Sequence, residues 1–269
     1  MFHSIGFIGT GHMGAALARG AAKGAAGAPI YLSNRTPEKA RKLARELDCK
    51  AVDNLAVFRQ CQLIFLGVKP QRMGNLLKEY QEVMAQRKDR FVLASMAAGL
   101  SARTIQEMAG GNYPVIRLMP NTPVAVGAGV IQYCGLDTTQ EELEDFRTLM
   151  APAGLVDEIN EDLCDAASAL SGCGPAFCAL FVEALADGGV ACGLPRDKAL
   201  AYTAQTLKGA AKLMLETGIH PGDMKDGVCS PGGTTIQGIR VLEEQGFRAA
   251  AMKAVIAAYE KTLSFEKKN

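Results

Sequence analysis

The sequence has no tryptophan, only three histidines and almost no excess of either charge. Its 29 Lys and Arg residues balance 28 Asp and Glu residues, so neither nucleic acid nor an anionic membrane surface is an expected partner. The eight cysteines lie singly, without Cys-x-x-Cys spacing or a neighbouring histidine. We therefore expect no metal site and no disulfide framework, with cysteines acting as small apolar residues in a reducing compartment.

The chain also lacks an uninterrupted apolar run of membrane-spanning length. Its most apolar stretch, residues 166–193, contains Pro175, Glu183 and Asp187, which makes it a poor candidate for a membrane span. No signal peptide is visible, because residues 4–9 already have the pattern of a β-strand. These features predict a soluble, cytoplasmic protein with no membrane partner.

Short β-rich runs alternate with amphipathic patterns in residues 1–158. Strands are predicted at 4–9, 30–33, 63–68, 90–95, 115–119 and 130–134, and helices at 13–23, 36–47, 71–87, 101–108 and 141–151. Thr36 followed by Pro37 is typical of a helix start, with Thr as the N-cap. Continuous apolar strands alternating with helices predict a Rossmann-type α/β domain with a parallel sheet.

Residues 159–269 have only helical patterns, at 161–170, 175–192, 195–217, 234–244 and 247–265. We predict a second, all-helical domain over this range. Its helices have apolar residues around much of their circumference, so we expect them to be buried against a second subunit. Packing against the first domain alone is the alternative.

A Gly-x-Gly-x-x-Gly motif at Gly9, Gly11 and Gly14 follows the first strand and opens the first helix. In that position the first glycine permits a tight turn, the second lets the backbone approach a pyrophosphate, and the third lets helix and strand pack closely. The helix N-terminus would then bind the negative charge. The motif predicts a dinucleotide site, although glycines also cluster in ordinary turns.

The end of the second strand selects the cofactor. An NAD-binding protein would place Asp or Glu there to bind the ribose hydroxyls, but no acidic residue occurs before Glu38. Asn34, Arg35 and Thr36 instead offer hydrogen-bond donors and a positive charge, which suit a 2′-phosphate. We predict NADPH as the cofactor, with NADH as a poorer substitute. A solvated surface role for Arg35 is the alternative.

Two further strands end in small residues, at 67–70 and 95–99, where ligands of open α/β sheets bind. Lys69 is expected at the edge of the cofactor. The predicted cofactor-binding residues are Ile8, Gly9, Thr10, Gly11, His12, Met13, Gly14, Asn34, Arg35, Thr36, Asn54, Gly67, Val68, Lys69, Pro70, Met96, Ala97 and Ala98.

A second glycine-rich turn, Ser-Pro-Gly-Gly-Thr-Thr at 230–235, leads into a predicted amphipathic helix. Such a turn presents several unpaired N–H groups together, and this nest suits a substrate carboxylate. An ordinary helix N-cap made by Ser or Thr is the alternative.

Six motifs occur in order along the chain: GFIGxG at 6–11, SNRT at 33–36, VKP at 68–70, MPNTP at 119–123, SGCGPAF at 171–177 and SPGGTT at 230–235. Together they resemble the pyrroline-5-carboxylate reductase family from residue 5 to about residue 244, and SPGGTT is the most specific of them. Cys173 and Cys229 depart from the family pattern, which usually has Ser at the first position and Thr or another small polar residue at the second.

The resemblance implies NADPH-dependent reduction of 1-pyrroline-5-carboxylate to L-proline, the last step of proline biosynthesis. It implies that the N–H groups of Gly232, Gly233 and Thr234 bind the carboxylate, beside Ser230, and that the hydroxyl of Thr235 contacts the ring nitrogen. Since a protonated imine is a strong hydride acceptor, orientation matters more than a strong acid.

The resemblance also implies a homodimer in which the nest completes the pocket across the subunit interface; assembly beyond a dimer is left open. Glu161 matches an acidic residue near the substrate amine, although a surface carboxylate at a helix start is an equal alternative.

Three other functions compete with this interpretation. A β-hydroxyacid dehydrogenase would have a catalytic lysine where Cys178 follows Gly172 and Gly174, and none is present. A non-catalytic NADP(H) sensor would keep the cofactor motif but would not need the nest. A reductase of a six-membered cyclic imine is not distinguished by the sequence.

Replacing Arg35 tests the cofactor prediction. We expect Arg35→Ala to raise the Michaelis constant for NADPH far more than that for NADH, because only NADPH has the 2′-phosphate. Steady-state kinetics with each cofactor measures the two effects. Equal increases would remove Arg35 from phosphate recognition.

Overall fold

A computed structural model describes residues 1–266 of the chain. Its strands are β1 (Ile5–Ile8), β2 (Ile30–Ser33), β3 (Lys50–Ala51), β4 (Leu63–Leu66), β5 (Val92–Ser95), β6 (Val115–Pro120), β7 (Gly129–Leu136) and β8 (Gly154–Glu158). Between them lie α1 (His12–Gly24), α2 (Pro37–Leu47), α3 (Asn54–Gln60), α4 (Pro70–Glu79), α5 (Gln81–Ala85), α6 (Ala102–Ala109) and α7 (Gln140–Met150). After β8 come α8 (Cys164–Ser171), α9 (Gly174–Ala191), α10 (Arg196–Thr217), α11 (Pro221–Gly227), α12 (Thr234–Glu244) and α13 (Phe247–Glu266). Short 3₁₀ helices occupy Thr122–Val126, Ala151–Ala153 and Glu161–Leu163.

The strands form one sheet in the order β3-β2-β1-β4-β5-β6-β7-β8. The chain runs outward from β1 to β3 and then returns to β4 on the other side of β1. The carboxyl end of β1 is therefore a topological switch point, where the loops after β2 and β4 diverge and leave a crevice. This topology confirms the predicted Rossmann-type domain.

One part of the sheet departs from the predicted parallel arrangement. β6 and β7 pair antiparallel, while β7 and β8 are parallel to each other. The connection from Pro120 to Gly129 holds only a short 3₁₀ helix. A parallel pair needs a crossover of about a dozen residues or more, so a connection of this length favours the antiparallel pair.

Both faces of the sheet are covered, which explains the continuous apolar runs in its strands. One buried cluster contains Phe7, Leu17 and Phe146, and the other contains Ile8, Val57 and Ile105. The rings of Phe7 and Phe65 on adjacent strands stack with centroids 4.3 Å apart. These two layers hold β1 and β4 in register below the crevice.

The long elements agree with the sequence predictions to within one to three residues at most ends, and β2 and α12 match at both ends. The helix predicted over 71–87 is interrupted at Tyr80 and forms α4 and α5. The elements missed were short ones: β3, β8, α3 and α11. Thr36 occupies the N-cap of α2 as predicted, but its side chain makes no capping hydrogen bond.

The chain divides into two compact units. The first comprises Met1–Cys173 with the end of the last helix, from Ala258, and the second is Gly174–Ala257. Helix α8 belongs to the first unit because Ser171 exchanges hydrogen bonds with Gln132 and accepts one from Asn121 through its carbonyl. The domain boundary that the sequence predicts at residue 158 coincides with the end of β8. That this boundary separates the cofactor-binding part from the substrate-binding part stays a prediction.

The second unit exposes much of its apolar surface. Of residues 174–257, all of which the structure describes, only Ala186 and Ala199 are buried. Leu180, Leu215 and Met252 are 67%, 84% and 61% exposed. Apolar helices this exposed in a single chain indicate a surface that another molecule covers.

One helical stretch among residues 1–266, Glu161–Ala191, is long and apolar enough to cross a membrane by length and composition alone. Its best window has a mean hydropathy of 1.6 and is 11% buried. Pro175, Glu183 and Asp187 do not disqualify it by this measure. The absence of a membrane partner therefore stays a prediction.

Candidate cofactor and substrate sites

The turn after β1 requires glycine at two positions, Gly9 and Gly14. Gly9 has φ +94°, a conformation that favours glycine, and an added Cβ there would collide with the carbonyl of Gly67. A Cβ at Gly14 would collide with the carbonyl of Gly9. The Gly67 N–H donates to the carbonyl of Ile8 at 2.7 Å. The turns after β1 and β4 are thus packed directly against each other.

Gly11 has a different role from its two neighbours. A Cβ at this position would meet nothing within 4 Å, and the residue is exposed. Gly11 is the N-cap of α1 and has no side chain to make a capping hydrogen bond, and the first turn of the helix contains no acidic residue. The first N–H groups of α1 are therefore not capped by a side chain, which suits a pyrophosphate.

Thr10 gives independent evidence that a ligand binds at this turn. The residue is 5% exposed, and its Oγ1 is buried without a hydrogen-bond partner among the described residues. Buried hydroxyls are rarely left unpaired, because the loss of hydration costs about 1–3 kcal/mol. The orphaned hydroxyl and the open helix end both fit a dinucleotide.

A cleft of about 920 Å³ lies at the switch point. Nine of the predicted cofactor-binding residues line it: Ile8, Gly9, Gly11, Asn34, Arg35, Asn54, Gly67, Val68 and Lys69. The Oγ of buried Ser33 donates to Oδ1 of Asn54 at 2.7 Å, which ties the end of β2 to the start of α3.

The cleft is strongly basic. Four basic side chains line it, Arg35, Lys39, Lys69 and Arg72, against the single carboxylate of Glu79. Within residues 1–266, none of the four forms a salt bridge with a carboxylate. Unpaired cations gathered in one cleft favour an anionic ligand.

The first acidic residue after β2 is Glu38, and its carboxylate is paired outside the cleft. Glu38 pairs with Arg41 one helical turn later and does not line the cleft. No carboxylate from this segment is therefore placed to accept hydrogen bonds from ribose hydroxyls, in agreement with the choice of NADP(H) over NAD(H).

A second cavity of about 690 Å³ contains three more of the predicted residues, Thr10, His12 and Met13. It shares Gly11 and Lys39 with the cleft. The structure places the remaining six in the lining of neither cavity: Gly14, Thr36, Pro70, Met96, Ala97 and Ala98. Gly14 and Ala97 are buried, and Pro70 is the first residue of α4.

Sequence reasoning missed Lys39 and Arg72 as residues of the cleft. Lys39 follows Arg35 by four positions, and Arg72 follows Lys69 by three, so each pair spans about one helical turn. This spacing of basic residues was the only sign in the sequence that Lys39 and Arg72 belong to the cleft. It could not be interpreted without knowing that α2 and α4 border the same crevice.

Glu161 is engaged by neighbours in the first unit. Its Oε1 accepts a hydrogen bond from the backbone N–H of Ala102 at 2.7 Å, at the start of α6. It also lies 3.5 Å from Nη1 of Arg117, a buried residue that pairs with Asp165 at 2.7 Å. These contacts fit a structural role, and the assignment of Glu161 to the substrate amine stays a prediction.

The turn at 230–235 lies in the second unit, and one of the three N–H groups expected to bind the carboxylate, that of Gly233, is already paired within the turn. Gly232 has φ +70°, and the N–H of Gly233 donates to the carbonyl of Ser230 at 3.0 Å. A Cβ at Gly233 would collide with Oγ of Ser230. The turn therefore favours glycine at position 232 for its backbone conformation, and at position 233 a larger residue would require the side chain of Ser230 to move.

Helix α12 begins at Thr234 with Gly233 as its N-cap, and no side chain makes a capping hydrogen bond. The alternative of a Ser or Thr N-cap is therefore wrong. Thr234 and Thr235 are both exposed. The helix presents its first N–H groups and a neighbouring hydroxyl to whatever binds there.

No group of three or more His, Cys, Asp or Glu side chains among residues 1–266 has the arrangement of a metal site. All eight cysteines are free, and burial raises the pKa of the Cys61 thiol to about 12. Cys61 thus behaves as a small apolar residue below Gly6, as the sequence analysis expected.

Comparison with known proteins decides the family. Residues 161–264 match the family model described as pyrroline-5-carboxylate reductase dimerisation, and residues 4–99 match that of NADP oxidoreductase, coenzyme F420-dependent. The pyrroline-5-carboxylate reductase of Glycine max is 41% identical over 97% of this chain and 95% of its own length. The chain belongs to the pyrroline-5-carboxylate reductase family.

Solved structures agree over nearly the whole length. A pyrroline-5-carboxylate reductase from Coxiella burnetii is 31% identical, with a TM-score of 0.88 and 98% of each chain covered. Pyrroline carboxylate reductase from Plasmodium falciparum, solved with NADP bound, is 30% identical, with a TM-score of 0.85 and the same coverage. The predicted resemblance is confirmed at the level of family and fold.

The contrast between Gly11 and its neighbours gives a testable prediction. Gly11→Ala has room for its methyl group and an extended backbone, so we expect it to lower the free energy of unfolding by about 1 kcal/mol or less. We expect NADPH binding to weaken by about tenfold or more, because the methyl group stands where the pyrophosphate would approach. Chemical denaturation and calorimetry measure the two effects.

Gly14→Ala is the matched control, because its methyl group collides with the carbonyl of Gly9 and should reduce stability as well as binding. If Gly11→Ala bound NADPH as tightly as the unmodified protein, the pyrophosphate would not lie over this turn.

Proposed function

We propose that this protein reduces 1-pyrroline-5-carboxylate to L-proline with NADPH. The observation that carries the proposal is the combination of two helices that begin with a glycine N-cap and no side-chain capping hydrogen bond, α1 after the glycine turn and α12 after the turn at 230–235. The first suits a pyrophosphate and the second a carboxylate. Relatives that carry the reductase name match the full length of the chain.

The cofactor would be bound by residues from the loops after β1 and β2. Gly11 and the N-terminus of α1 would bind the pyrophosphate, Thr10 would supply its free hydroxyl, and Asn34 with Arg35 would bind the 2′-phosphate. NADPH supplies the hydride. The basic cleft favours NADPH, and NADH is the poorer substitute because it lacks the third phosphate.

The substrate would be held by the nest. The N–H groups of Gly232 and Thr234 would bind the carboxylate, with Ser230 beside them. The N–H of Gly233 already donates to the carbonyl of Ser230 and would contribute only by sharing its hydrogen with the carboxylate. Thr235 would place its hydroxyl at the ring nitrogen. The hydride adds to the carbon of the C=N bond and the nitrogen retains or takes up one proton, which gives the secondary amine of proline. Thr235 orients that nitrogen and can relay the proton.

Two features favour this reaction over the alternatives. The position at which a β-hydroxyacid dehydrogenase has its lysine holds Cys178. A protein that only sensed NADP(H) would not need a nest in its helical part. We further propose residues 1–158 as the cofactor-binding part and 159–269 as the part for substrate binding and dimerisation, in a cytoplasmic enzyme of proline biosynthesis.

A homodimer follows from the exposed apolar helices of residues 174–257 and from the dimerisation model that matches residues 161–264. We expect light scattering coupled to size-exclusion chromatography to give twice the mass of one chain, or a multiple of it, since a lone chain leaves Leu215 84% exposed. A strict monomer at micromolar concentration would contradict this.

Turnover with a panel of substrates tests the reaction. NADPH oxidation is followed with pyrroline-5-carboxylate, with piperideine carboxylates and with small hydroxy acids or ketones. We expect turnover with the five-membered imine. If the protein turned over none of the imines, the proposal would be refuted. If it turned over a six-membered imine faster than pyrroline-5-carboxylate, the six-membered imine would be assigned as the substrate.

A hydroxyl at position 235 is expected to act in turnover. Thr235→Ala should lower kcat while NADPH affinity is unchanged, because its side chain lies in the second unit, outside the cofactor cleft. Thr235→Ser keeps the hydroxyl and should retain most of the activity. Full activity of Thr235→Ala would remove this residue from the mechanism.

A further inference from the structure

The proposed function gives no role to two cations of the cofactor cleft that lie outside every sequence motif, Lys39 and Arg72, and Arg72 is the one that does not share a helix and loop with Arg35. Arg72 lies in the first turn of α4 and lines the cleft, yet no sequence motif includes it. Resting on the proposed use of NADPH, we infer that Arg72 is a second determinant of cofactor choice, which binds the 2′-phosphate from the side of the cleft opposite Arg35.

The sheet places the two arginines on opposite sides of the crevice. β2 and β4 are hydrogen-bonded to the two edges of β1, in the order β2-β1-β4. Arg35 follows β2, whereas Arg72 follows β4. A group bound above the end of β1 is therefore reached from both sides.

The position of Arg72 is unfavourable for its own helix. Lys69 is the N-cap of α4 and Arg72 is its third residue, and the first turn contains no acidic side chain. Cations at a helix N-terminus face the positive end of the helix dipole, which is unfavourable. In residues 1–266 no carboxylate offsets this cost at Arg72 through a salt bridge. An anionic ligand in the cleft would offset it.

The 2′-phosphate is the anion that needs a further cation. The pyrophosphate already has the open N-terminus of α1, where Gly11 leaves the first N–H groups free. The 2′-phosphate has a charge of nearly two and three acceptor oxygens, more than one arginine can satisfy. Arg35 and Arg72 together can clamp it.

The experiment uses ligands that isolate this phosphate and need no catalysis. Calorimetry measures the binding of adenosine 2′,5′-bisphosphate and of 5′-AMP to the unmodified protein, to Arg72→Gln, to Arg72→Lys and to Arg59→Gln. Arg59 is an exposed arginine of α3 outside the cleft, so its variant controls for loss of one positive charge.

We expect Arg72→Gln to weaken the bisphosphate by about tenfold and 5′-AMP by less than about twofold, with partial recovery in Arg72→Lys. Arg59→Gln should change neither. The bisphosphate affinity of Arg72→Gln should also depend less steeply on salt than that of the unmodified protein.

Equal weakening of both ligands would place Arg72 on the adenosine or the 5′-phosphate and overturn the inference, as would no change in either. A protein that reduces pyrroline-5-carboxylate but binds the bisphosphate independently of Arg72 would contradict this inference alone. A protein that shows the selective loss but reduces no imine would contradict the proposed function alone.

Discussion

The direct contact between the turns after β1 and β4 is the constraint on which the cofactor site depends. Neither Gly9 nor Gly67 can accept a side chain, because a Cβ on either would enter the backbone of the other. This contact holds two neighbouring strand ends at one level, and Gly14 brings the start of α1 onto the same point. The N–H groups of that helix then face the crevice between the loops after β2 and β4. Every proposed contact with the cofactor follows from this arrangement.

The helical unit also contains a helix with a glycine N-cap, for which we propose a different anionic ligand. Helices α1 and α12 both begin after a glycine N-cap without a side-chain hydrogen bond, although Ser and Thr are available near each. A glycine N-cap gives up a few tenths of a kcal/mol relative to Ser or Thr at the same position. The basic cleft adds to this cost by gathering four cations without carboxylate partners. Both features make sense as stability given up for anion binding, with a dinucleotide at one helix and a carboxylate at the other.

How much the sequence could predict depended on whether a feature is local. The glycine turn, the choice of NADP(H) at Asn34 and Arg35, and the nest at 230–235 are each contained in six or seven residues, so the sequence alone was enough to predict them, and their roles stay predictions. Arg72 and Lys39 were not predicted, because their role depends on which face of α4 and α2 borders the crevice. Strand β3 was missed because it has only two residues, too few to show a period. Strand β8 was missed because its residues are exposed or half-buried and do not form a continuous buried apolar run. The reversal of β7 was foreseeable from the short connection before it, but the alternation of strands and helices suggested only a parallel sheet.

The central claim is that the cofactor site and the nest serve one reaction, hydride transfer to an imine carbon. The most direct measurement is the fate of deuterium when NADPH labelled at both C4 positions is incubated with the protein and pyrroline-5-carboxylate. The account predicts L-proline with one deuterium at C5, detected by mass spectrometry and located by NMR, and formed in step with NADPH oxidation. Oxidation of NADPH without deuterium in the proline, or proline labelled at another carbon, would contradict it.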